Sequence, residues 1–177
     1  SRGAYIAFLV SFLTLSFLQK SFKLGLATVL LFMGLMLGFV IYQKTVAEPL
    51  GVNRAESASF RLTSWQQGAT LFQINPLLGV GFNAYRYGLR QYHLADEIFL
   101  KSHGASTNDS SLLYVAATTG IIGFAGFLFF LLTLARSGNL VLTAGLIGLI
   151  TQSFFANTLF YPPLLLWIIL ISVFPKK

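Results

Sequence analysis

The sequence predicts an all-α fold: a polytopic membrane protein of about five transmembrane helices, with one large extracytoplasmic loop that contains short helices. Three observations lead there. Of 177 residues, 55% are hydrophobic and only 10% charged, with a mean hydropathy of +0.74, whereas an ordinary soluble domain is about 25% charged. The apolar residues fall in five runs, at 4–18, 24–41, 112–135, 140–160 and 162–174, to be set against the roughly 20 residues that a helical span needs. All five acids, Glu48, Glu56, Asp96, Glu97 and Asp109, lie between the second and third runs.

The first and last runs are short for a span. Lys20 and Lys23 separate the first two runs, Arg136 separates the third from the fourth, and Lys176 with Lys177 closes the chain. Because cytoplasmic loops collect Lys and Arg, these three acid-free clusters are expected inside, and segment 43–110 outside together with the amino terminus. The organisation is then two spans in 1–43, an extracytoplasmic (periplasmic) loop in 44–110 and three spans in 111–177. The first run opens just after Ser1, with no initiator Met, so the chain is expected to be a fragment of a longer protein with further spans upstream. No basic n-region with a small-residue cleavage site is present, and a signal peptide is not expected. The net charge of +7 belongs to the topology pattern, so the bilayer is the expected partner and nucleic acid is not. With zero Cys and no His or carboxylate cluster at metal-ligand spacing, no metal and no other cofactor is expected.

The outer segment holds the specific polar chemistry. Residues 56–73 contain no Pro and only Gly68, and Phe60, Trp65, Ala69 and Phe72 recur near helical spacing, which predicts a helix. Pro76 ends it. The following "GVGF" permits positive φ and the close approach of another group. In "NAYRYGLRQYH", Arg86, Arg90 and His93 form a basic stripe and Tyr85, Leu89 and Tyr92 an apolar one, the pattern of a helix at the lipid interface. Its arginines either anchor that helix to headgroups or help to hold a lipid-linked phosphate. Asn108-Asp109-Ser110 matches a glycosylation triplet, a frequent chance match.

Three patches, taken in order, resemble the bacterial O-antigen ligase and O-antigen polymerase superfamily. They are "SRGA" at 1–4, "RLTSWQQGATLFQINPLLGVGF" at 61–82 and "NDSSLLYVAATTGIIG" at 108–123, about a quarter of the chain. The second is similar to the family's outer-loop signature, an Arg, a Trp and a helix ending in N-P-h-h-G-h-G-h, where h is apolar. The third is similar to the segment leading into the next span, with its aliphatic pair between two Gly. The resemblance implies a multi-pass glycosyltransferase of the bacterial inner membrane with its site on the outer face. Such an enzyme polymerises or ligates glycans, passing them from a polyprenyl-diphosphate-linked donor to an acceptor glycan or lipid.

The resemblance further implies that Arg2 and Arg61 grip the diphosphate, a role suited to planar, permanently charged guanidinium. Arg2 could equally snorkel at a span end, and Arg61 could pair with Glu56 or cap a carbonyl. Ligases of the family carry a His-Asn pair eleven and ten residues before the first Gly of the G-h-h-G element. Counting back from Gly120 places Asp109 and Ser110 there. Asp109 is either a general base or the N-cap of the next span, and His103 is a second candidate base. A transporter or flippase of lipid-linked oligosaccharide is the competing expectation, with the same arginines binding but not reacting.

Overall fold

The computed structural model describes residues 2–47, 54–136 and 139–173, without the side chains of 2, 47 and 54–57. Among these residues there is no strand, and eight α-helices follow one another: α1 (Arg2–Leu18), α2 (Phe22–Tyr42), α3 (Arg54–Ile74), α4 (Tyr85–Gln91), α5 (Glu97–Lys101), α6 (Ser111–Ala135), α7 (Leu140–Gln152) and α8 (Pro162–Val173). A π-helical turn, Gln43–Ala47, extends α2, and a 3-10 turn, His103–Ser106, follows α5.

The protein is therefore all-helical, as its composition predicts, but the five expected spans are not matched helix for helix. Two helices, Phe22–Val46 and Ser111–Ala135, are long and apolar enough to cross a membrane, at 25 residues each. Helices α1, α7 and α8 have 17, 13 and 12 residues. At 1.5 Å per residue α7 is about 20 Å long, short of a hydrocarbon core of about 30 Å. Run 140–160 is not one helix because its polar residues have better partners elsewhere. Past Gln152 the Ser153 carbonyl accepts from the Ser111 N–H at 3.0 Å, and Asn157 Oδ1 accepts from Ser111 Oγ at 2.9 Å. The Pro162-Pro163 pair then starts α8.

Side-chain caps set the turns. Ser21 Oγ accepts from the Leu24 N–H at 3.3 Å and starts α2. Asn139 Oδ1 accepts from the Val141 and Leu142 N–H groups and starts α7. Helices α1 and α7 run antiparallel: Gly3 lies beside Gln152 and Phe155, and Ser11 Oγ donates to the Ala144 carbonyl at 3.1 Å. The carboxy-terminal end of α8 joins the start of α7, where Asn139 Nδ2 donates to the Ile171 carbonyl at 3.2 Å. Lys20, Lys23 and Arg136 thus share one end of the bundle, while Gly3, Gln152 and the start of α6 share the other. Lys176 and Lys177 lie outside the described residues. A core of Leu131, Leu142, Leu146, Leu159 and Ile168 joins α6, α7 and α8. Leu71, Tyr85, Leu89, Leu100, Ala105, Tyr114 and Ala117 make a second core beneath a cap formed by α3, α4 and α5.

The cap is locked to α6 through the backbone. Gly120 sits in α6 with φ 64 and ψ −168, a break in the helix. In an unbroken helix the N–H groups of Ile121 and Ile122 would reach the carbonyls of Ala117 and Thr118. Here they donate instead to the carbonyls of Pro76 (2.8 Å) and Leu77 (3.5 Å), and the freed Ala117 and Thr118 carbonyls accept from Val80 and Gly81, each at 2.9 Å. Four hydrogen bonds between the loop 76–81 and α6 replace two within the helix, so the Ile121 and Ile122 N–H groups and the Ala117 and Thr118 carbonyls all keep partners. Gly79 (φ 69) and Gly81 (φ 104) have the positive φ that their sequence allows. What comes close to Gly79 is the α6 backbone at Thr118 and Thr119.

Candidate functional site

Helix α3 presents two useful stripes beside the cap. Phe60, Thr63, Ser64 and Gln67 (i, i+3, i+4, i+7) line a cleft of 610 Å³ together with Asp96, Phe99, Gly104 and Asp109. Arg61, Trp65 and Gly68 follow on the adjacent stripe. The Trp65 ring lies 6.5 Å from that of Phe155, and Phe155 in turn abuts Gly3 at the start of α1. The face carrying Arg61 and the first turn of α1 therefore meet the same corner of the molecule. The Arg2 side chain lies outside the described residues, as does that of Glu56, the partner once open to Arg61.

Asn108 ties the site together. It is fully buried, and Gly68 leaves it room, since a Cβ on Gly68 would lie 2.7 Å from Asn108 Nδ2. Its Nδ2 donates to the Ser64 carbonyl and, at 2.8 Å, to the Tyr85 hydroxyl, while its Oδ1 accepts from the Ser110 N–H at 2.8 Å. Burial pushes the Tyr85 hydroxyl up to about 12, against a lowering by that Asn108 bond, so it stays protonated at neutral pH. Asn108→Ala strands these groups at a cost of about 1–3 kcal/mol for each one left unpaired. A lower unfolding temperature in detergent is the expected result, and an unchanged one would show that Asn108 holds nothing.

Asp109 is not the cap of α6. The N-cap is Ser110, whose side chain accepts from the Leu113 N–H at 3.4 Å. Asp109 is instead held by its own N–H, which donates to Ser64 Oγ at 3.0 Å. No hydrogen bond to its carboxylate is made among the described residues. Burial raises the Asp109 pKa above the usual carboxylate value, and the charge of Arg61 pulls it back. A carboxylate half-sheltered from water, beside a cation and free of internal donors, is suited to taking a proton from a bound group.

The other candidates are placed differently. Arg86 donates to the Ser102 carbonyl at 2.7 Å and to Ser106 Oγ at 2.6 Å, pinning the turn after α5. Arg90 pairs with Glu97 at 3.1 Å on the surface. The stripe that was to unite them with His93 is cut, because α4 ends at Gln91 and His93 has φ 52. Tyr85 and Leu89 face the core beneath the cap rather than lipid. His103 is exposed in its 3-10 turn, and its neighbour Gly104, not His103 itself, borders the cleft. Sequence reasoning missed Asn108 and Ser64. A Gly in the middle of α3, otherwise costly to a helix, was the one signal of a tight approach there.

The described residues form an all-helical protein of the membrane-protein type, with two helices long and apolar enough to cross a bilayer and a polar helical layer that sets an Arg and an Asp beside a cleft. The chain belongs to the O-antigen ligase family, whose profile matches residues 1–128. That match takes in Arg2, Arg61, Asp109 and both halves of the loop-to-helix interlock. No curated protein and no solved structure matches the chain. Membership carries a ligase- or polymerase-like role in polysaccharide synthesis, with a lipid-linked glycan and an acceptor as partners in general terms.

Proposed function

We propose that the protein is a glycosyltransferase that moves a glycan from a polyprenyl-diphosphate carrier to an acceptor hydroxyl at the outer face of the bacterial inner membrane. The observation that carries this reading is the place of Asp109 on the cleft lining, with Arg61 on the adjoining stripe of α3 and its charge lowering the Asp109 pKa. The acceptor oxygen attacks the anomeric carbon and its proton passes to the Asp109 carboxylate. The bond from anomeric carbon to diphosphate oxygen breaks, with the electron pair leaving on the diphosphate. Arg61, with Arg2 from the neighbouring helix start, neutralises that charge as it develops. Grouping of Lys20, Lys23 and Arg136 at the opposite end of the bundle supports the outward placement of the site. Across α6, α7 and α8 the described residues carry no Asp, Glu, Lys or Arg, which favours reaction over the midplane binding of a transporter.

The test is Asp109→Asn, assayed for transfer across pH. Loss of a general base lowers the rate by about 10²- to 10⁴-fold. In the wild type the rate falls as pH drops through the raised Asp109 pKa, hence at a higher pH than an ordinary carboxylate would give. Stability moves the other way: a raised folded-state pKa costs stability as pH rises through it, so Asp109→Asn is expected to be no less stable than wild type at neutral pH. Wild-type transfer in a folded Asp109→Asn would remove Asp109 from the mechanism.

A further inference from the structure

We propose that the 610 Å³ cleft is an acceptor-sugar subsite selective for a sugar that is neutral or bears an ammonium group, and that it turns away phosphate and uronate. This rests on the transferase reading and adds the chemistry of the acceptor. The volume falls in the range of about 300–1,000 Å³ typical of small-molecule sites. Its α3 wall offers the Phe60 ring, 62% exposed, as a platform for the C–H face of a pyranose. Thr63 stands on the same wall, and its hydroxyl, which donates to the Ser59 carbonyl at 3.2 Å, can accept from a sugar hydroxyl.

Charge makes the cleft selective. Among the described residues its lining carries Asp96 and Asp109 and no Lys, Arg or His. Asp96 Oδ1 is occupied as the cap of α5, accepting from the Phe99 N–H at 2.7 Å, which leaves its second oxygen for a ligand hydroxyl. Arg86 is committed to Ser102 and Ser106 and Arg90 to Glu97. Arg61 belongs to the next stripe of α3 and is not part of the lining. An anion entering the cleft meets two carboxylates, whereas a sugar hydroxyl can donate to them. The diphosphate then belongs on the Arg61 and Trp65 stripe, and Asp109, which borders the cleft and feels Arg61, stands between the two substrates.

The 177 residues contain no cysteine, so Thr63→Cys places a single thiol among them, at an exposed position. In nanodiscs, a cationic methanethiosulfonate should modify it on the order of tenfold faster than an anionic one of the same size. Asp96→Asn, which keeps the α5 cap, should shrink that ratio several-fold. Phosphate-free oligosaccharides released from the source cell's own surface polysaccharide should slow the labelling, and inorganic diphosphate should not. Faster reaction of the anionic reagent, protection by diphosphate, or no protection by the oligosaccharides overturns the proposal. Oligosaccharide protection without transfer from any lipid-linked donor would leave the subsite standing and remove the transferase reading instead.

Discussion

Gly120→Ala is expected to unfold or strongly destabilise the protein, although it adds one methyl group to a helix that already holds many. A Cβ at Gly120 collides with the Leu77 carbonyl and lies 2.5 Å from Leu78 N. Holding a non-Gly residue at φ 64 costs about 1–3 kcal/mol, and the overpacking costs about 1–3 kcal/mol more. At about 2–4 °C per kcal/mol for a chain of this size, the unfolding temperature in detergent should fall by at least about 5 °C. Gly79→Ala meets the same obstacle from the loop side, 2.5 Å from Thr119 N. Because both changes break one interlock, the double variant should lose less than the sum of the singles. Gly126→Ala is the control: nothing lies within 4 Å of its added Cβ, and Ala is the better helix former. Equal losses at 120 and 126 would show that the break contributes nothing.

Arg61→Ala should cost about 10²- to 10³-fold in transfer, the usual effect of removing one donor aimed at developing negative charge. Arg61→Lys should recover little, because an ammonium cannot reproduce paired guanidinium bonds to phosphate. Arg2→Ala is expected to behave in the same way. A second readout separates a direct role from a structural one. Arg61 lowers the Asp109 pKa against the effect of burial, so its removal raises that pKa further, and the acid limb of the pH profile should move to higher pH. A residual rate with an unshifted profile would mean that Arg61 does not face Asp109 in the working enzyme.

Local patterns made the cap readable. The absence of Pro and the helical spacing of Phe60, Trp65, Ala69 and Phe72 in residues 56–73 forecast α3, Pro76 forecast its end, and the Gly pair forecast positive φ. These signals are short-range, carried by each residue's own backbone preferences. Asn108 left no such trace, because its partners Ser64 and Tyr85 are 44 and 23 positions away and only folding brings them together. The same distance explains the mistaken cap: Asp109 and Ser110 are equally good N-caps by residue type, and the bond from the Asp109 N–H to Ser64 determines which one turns inward. Run 140–160 was misread as one helix because mean hydropathy averages over Ser153 and Asn157, which bond to Ser111 at the start of α6.

The break at Gly120 also bears on how the chain is assembled in a membrane. Loop 76–81 is synthesised before α6, so it has no docking partner until α6 has formed. Before the loop has docked, these peptide groups of α6 find partners within the chain only in one continuous helix, with the Ile121 and Ile122 N–H groups bonded to Ala117 and Thr118. Docking then exchanges those two bonds for four with the loop, and Gly120 is the residue whose backbone can swing from one arrangement to the other. An α6 formed first as a continuous helix must therefore break at Gly120 before the loop can dock on it.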